Sequence, residues 1–170
     1  FSFFVAFFWV KTETRQLIVE GKISDSDSFT PDRKIPLGLD VVSKIGVNGQ
    51  PQVVNNILPE TERDVLCYYK NLQNVNSFVG VPVFYTGDST AQTPIAVLAV
   101  DSKAEDAYGD ETFAILSHTS KLISSLLISY TEKYDLFADV KLVEADTQLK
   151  KKLSVQPSVT LIINSLAEEL

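Results

Sequence analysis

Apolar residues run almost unbroken over positions 3–10 and again over 17–23, on either side of the polar stretch Lys11-Thr12-Glu13-Thr14-Arg15. Both runs are aromatic and β-branched, types that pack well on a pleated surface, and two such runs around a short polar link predict a β-hairpin. Residues 24–34 are rich in Ser and Asp, include Pro31, and read as a loop. Helical spacing returns at Val41, Val42 and Ile45, within a short helix over 39–47 that stops at Asn48-Gly49-Gln50-Pro51. A brief strand over 52–55, a loop, and a second helix over about 60–72 follow, the last with Val65, Leu66, Tyr69 and Leu72 on one face.

Positions 78–85 and 94–101 then form two nearly continuous apolar runs around a polar tip, a second hairpin. Continuous runs, rather than alternating ones, imply a sheet covered on both faces. From Asp110 the pattern is helical to about Leu153. Such a helix is roughly 65 Å long and outreaches a compact domain whose radius of gyration is about 15 Å. Leu116, Ile123, Tyr130 and Phe137 recur every seven residues, the seam of a helix pair. The first half of this helix is expected to cover the sheet and the rest to meet a partner helix. Ser154-Val155-Gln156-Pro157 reads as a stop, with a further amphipathic helix beginning at Val159.

Composition narrows the function classes. A net charge of −7 leaves no concentrated basic face, which argues against nucleic acid as a partner. Lys150, Lys151 and Lys152 read as a solvated helix end. The single cysteine, Cys67, excludes an intrachain disulfide and suits a reducing, cytoplasmic setting. The opening apolar run is too short to span a bilayer. The sequence has no methionine, so Phe1 is expected not to be the biological start.

The order hairpin, short helix, short strand, helix, hairpin, long helix resembles the GAF family of sensory domains, most closely over residues 35–127. The resemblance is carried by Phe78-Val79-Gly80-Val81-Pro82-Val83-Phe84-Tyr85 and Ile95-Ala96-Val97-Leu98-Ala99-Val100-Asp101-Ser102. It is supported upstream by Pro36-Leu37-Gly38 and the stretch Gln50-Pro51-Gln52-Val53-Val54-Asn55-Asn56, and downstream by Tyr108-Gly109-Asp110-Glu111. It implies an α+β fold, a GAF/PAS-like central antiparallel sheet sandwiched by helices, with a ligand pocket between one sheet face and residues 55–69. It also implies membership of a longer, bacterial-type signalling protein with an output module such as a histidine kinase or nucleotide cyclase. The expected organisation is a sensory domain over 1–127, a signalling and dimerisation helix over 128–153, and the start of a following helix or domain over 154–170.

Members of the family that bind cyclic nucleotides carry an Asn-Lys, Phe, Asp-Glu signature, where this chain has Asp101-Ser102-Lys103, Tyr108 and Asp110-Glu111. The bilin-attaching Cys-His pair is replaced by Val65 and Leu66. Free methionine sulfoxide reductases of this fold need several cysteines, and the one cysteine here leads to their exclusion. No nucleophile, base and orienting acid stand together, so no catalysis, no cofactor and no metal are expected within the segment. His118, the only histidine, is expected at the surface or an interface, and Cys67 is expected to be buried. The candidate ligand-binding residues are Asn55, Asn56, Asp64, Tyr68, Phe84 and Asp101, around an unidentified small molecule, with Tyr85 beside them. Leu116, Ile123, Tyr130 and Phe137 are the candidate homodimer interface. The alternative is a ligandless dimerisation or spacer module with its pocket packed solid.

Overall fold

A computed structural model describes residues 3–24, 26–29, 34–85 and 93–168. The chain divides into two compact units, Phe1–Ile128 and Ser129–Leu170. In the first, β1 (Phe3–Lys11), β2 (Gln16–Ile23), β3 (Lys34–Pro36), β4 (Gln52–Val54), β5 (Ser77–Val83) and β6 (Ala96–Ser102) form one six-stranded sheet in the order β3-β2-β1-β6-β5-β4. Every pairing is antiparallel. Both expected hairpins form, and β1 joins them by pairing with β6 from Phe3↔Ser102 to Trp9↔Ala96.

The unbroken apolar runs are explained by cover on both faces. Along β1, Phe4, Ala6, Phe8 and Val10 enter one core cluster while Val5, Phe7 and Trp9 pack against the other. The first cluster is covered by α1 (Val41–Asn48), which buries Val41, Val42 and Ile45, the residues its spacing predicted. The Asp40 carboxylate accepts from the Ser43 amide at 2.9 Å and so caps the helix, and Gly49 ends it at φ 67, a left-handed conformation suited to glycine.

The second cluster lies under α3 (Asp110–Glu168), through Phe113, Leu116, Ile123 and Leu127. Two expectations need correction. The second helix, α2, is only Glu62–Val65. Beyond it the backbone turns to donors and acceptors of another segment, with Lys70 N–H donating to Ser28 O at 2.9 Å and a bridge pairing Phe29 with Tyr69. The buried Glu62 carboxylate accepts from the amides of Gln73 at 2.7 Å and Asn74 at 3.1 Å, closing the loop. The expected stop at Ser154-Val155-Gln156-Pro157 is absent, since α3 is helical through it. A proline deprives a helix of one N–H and need not end it. Among the described residues no helix is long and apolar enough to cross a membrane.

Candidate functional site

On the α1 face, in the region expected to hold a ligand, aromatic rings pack together. Tyr68 is fully buried and stacks on Phe4 with centroids 4.7 Å apart, with Phe29 and Tyr69 completing the cluster. The hydroxyls of Tyr68 and Tyr69 both donate to Asp101 Oδ2, at 2.8 and 3.0 Å. Asp101 is only 3% exposed, and its carboxyl is pushed up to about 6. Burial is the main cause and the Glu62 charge adds to it, while the two tyrosine hydrogen bonds and Lys103 act in the opposite sense. Burial and the Asp101 charge raise both tyrosines.

Of the expected ligand residues, Tyr68 and Asp101 thus meet directly, as a buried pair. Asn55, Asn56 and Asp64 are exposed, and Asn56 has φ 58, as a turn residue does. Tyr85 is exposed as well. Cys67 is half-buried, and its thiol is held protonated by burial first and by the charge and hydrogen bond of Asp40 next. His118 is exposed on α3. Leu116 is buried and Ile123 packs beside it in the α3 core cluster, whereas Tyr130 is exposed; the Phe137 side chain lies outside the described residues.

Phe84 belongs to a different place. Strand β4 pairs only with Phe78, Val79 and Gly80, so among the described residues the outer edge of β5 is without a strand partner from Val81 onward. Pro82 sits on this open edge, where its missing N–H costs no ladder bond. Its carbonyl accepts from Ser120 Oγ of α3 at 2.6 Å. The gap between this edge, the turn after α1 and α3 is a cleft of about 390 Å³, lined by Gly49, Gln50 and Pro51, by Val81, Pro82 and Phe84, and by Ser117, Ser120, Lys121 and Ser124. Phe84 packs against Gly49, where a Cβ would lie 3.4 Å from its ring.

The cleft's serines were not singled out from the sequence, because polar residues three and four apart on a helix read as its solvated face. The usable signal was that Ser120 and Ser124 alternate with Leu116, Ile123 and Leu127, so they border the buried stripe. The Ser124 hydroxyl donates to Ser120 O at 3.0 Å. Among the described residues, the Ser117 hydroxyl, the Lys121 ammonium and the Gln50 amide have no side-chain partner.

No family model and no curated protein matches the chain in sequence. Solved structures do match in fold. The free methionine-R-sulfoxide reductase of Neisseria meningitidis, in complex with its substrate, aligns with TM-score 0.60 and 22% identity over 78% of this chain and 71% of its own. The type II free methionine-R-sulfoxide reductase of Thermoplasma acidophilum gives 0.57 and 21% over 76% and 81%. The GAF domain of a two-component sensor histidine kinase from Bacillus halodurans gives 0.56 and 14% over 78% and 84%. At these identities the likeness establishes the fold, which is GAF-like. It also corrects the expectation that the segment carries no catalysis. That expectation rested on a cysteine count and the lack of a recognisable motif, yet reductases are among the solved structures similar to this chain.

Proposed function

We propose that this GAF-like domain binds a small molecule in the cleft between the open edge of β5 and α3, and that occupancy is relayed along α3. The observation that carries the reading is that α3 is itself a wall of the cleft, through Ser117, Ser120, Lys121 and Ser124. A volume of about 390 Å³ is in the range of small-molecule sites. A bound molecule touching α3 biases its packing on the sheet only by its differential affinity for two arrangements, which makes ligand contact with the helix the requirement for relay. The GAF domain of a sensor histidine kinase among the similar structures supports a regulatory role.

Ser117→Phe tests this, because Ser117 lines the cleft, is half-buried and makes no hydrogen bond whose loss would confound the result. In a thermal-shift screen of a metabolite library, a compound at a hundred times its Kd adds about 2.7 kcal/mol to the wild type. The variant is expected to keep its own melting temperature within a few degrees and lose that response. Following each hit for conversion to product decides whether binding is followed by chemistry. A variant that responds as the wild type does contradicts the cleft.

A second reading, a ligandless dimerisation or spacer module, draws on the ring-filled α1 face and on Ile115, Leu122 and Leu126. These three are 59%, 52% and 69% exposed along the outer face of α3. They are the surface a second copy would cover, and a library without hits would favour this reading.

A further inference from the structure

The unspent hydrogen-bonding groups of the cleft indicate what kind of molecule it takes. Ser120 and Ser124 have committed their hydroxyl protons to the carbonyls of Pro82 and Ser120. Among the described residues the donors left over are the Ser117 hydroxyl, the three N–H bonds of Lys121 and the Gln50 amide, while the Ser120 and Ser124 oxygens keep only acceptor capacity. Ser117 and Lys121 are four residues apart on α3 and therefore neighbours on one helix face. Among the described residues Lys121 is the only charged one lining the cleft, in a chain whose net charge is −7. A positive lining within an acidic protein selects for negative charge in the ligand. Opposite these donors, Pro51, Val81, Pro82 and Phe84 offer an apolar wall.

We infer that the cleft takes a small organic monoanion, a carboxylate borne on an apolar or aromatic body, with the carboxylate on Lys121 and Ser117 and the body against Phe84 and Pro82. One cation balances one negative charge. A phosphate dianion would need a second positive group or a cradle of backbone N–H groups. Among the described residues the lining supplies no second cation, and Gly49 is its only glycine. The inference rests on the cleft being the binding site.

The test uses the whole ¹⁵N-labelled chain and two probes of matched shape, sodium benzoate and neutral benzamide. Benzoate is expected to move the amide resonances of Gln50, Ser117 and Lys121 and to bind about fivefold or more tightly than benzamide, the preference of a partly exposed charge-assisted contact. Lys121→Met is expected to bring benzoate to the level of benzamide without changing benzamide, and 0.5 M sodium chloride to narrow the gap. Equal affinities for the two probes, an unchanged benzoate affinity in Lys121→Met, or no benzoate response at these amides overturns the monoanion. The cleft itself stands or falls separately, on whether Ser117→Phe abolishes the responses found in the library screen.

Discussion

Replacing Tyr68 with alanine is expected to cost about 4 kcal/mol of stability, the range for removing a large buried aromatic ring. Tyr68 has no exposure at all, stacks on Phe4 and Phe29, and meets Phe8 with centroids 5.6 Å apart, so its loss opens a hole between β1 and the loop that carries it. It also deprives a buried carboxylate of a donor. Tyr68→Phe separates these effects. It keeps the ring, costs about 1–2 kcal/mol through the hydrogen bond alone, and pushes the Asp101 carboxyl higher still. Urea unfolding followed by the fluorescence of Trp9, the only tryptophan and a residue of the central strand β1, measures both. A loss of less than about 1 kcal/mol in Tyr68→Ala would mean that the space is not packed and that a ligand, rather than Tyr68, normally fills it.

The second large effect is one of pH. Asp101 titrates near 6 in the folded chain against 3.8 when unperturbed. Between those values the native protein holds a proton that the unfolded chain has released, so stability falls as pH rises through this window and levels off above it. At about 1.4 kcal/mol for each pH unit between the two values, the fall is on the order of 3 kcal/mol. The described titratable groups that interact with Asp101 are Tyr68, Tyr69, Tyr108, Glu62 and Lys103, and all three tyrosines are pushed upward, away from this window. Asp101→Asn, whose amide oxygen still accepts from the tyrosines, is expected to be the more stable protein at pH 7 and to lose most of the slope. Unfolding midpoints of wild type and variant that run parallel between pH 4 and 7 would contradict the assignment.

The parts of the fold that could be read from the sequence are those set by near neighbours. The hairpins, the span of α1 and its stop at Gly49 each follow from spacing or turn chemistry within a dozen residues. The pairing of β1 with β6 joins segments about ninety residues apart and leaves no local mark. The second helix was overestimated because Val65, Leu66, Tyr69 and Leu72 fit a helical face. Its backbone instead bonds to the segment around Ser28, and Leu66 and Tyr68 are both buried with irregular backbone around them. Tyr68 and Asp101 are both among the ligand-binding candidates read from the sequence, but only the geometry shows them satisfying each other. Of the expected ligand residues, Phe84 alone lines the cleft, because the resemblance directed attention to the α1 face while the open edge of β5 arises from how short β4 is.

The most direct test of small-molecule binding beside α3 is a crystal structure of the chain soaked in a fragment set that includes aromatic carboxylates. The expected result is density for a fragment bounded by Phe84, Ser117 and Lys121, with the Tyr68 and Asp101 contacts unchanged. Fragments that bind only on the α1 face after displacing Tyr68 or Tyr69, with the cleft closed by Gln50 and Phe84, would contradict the account.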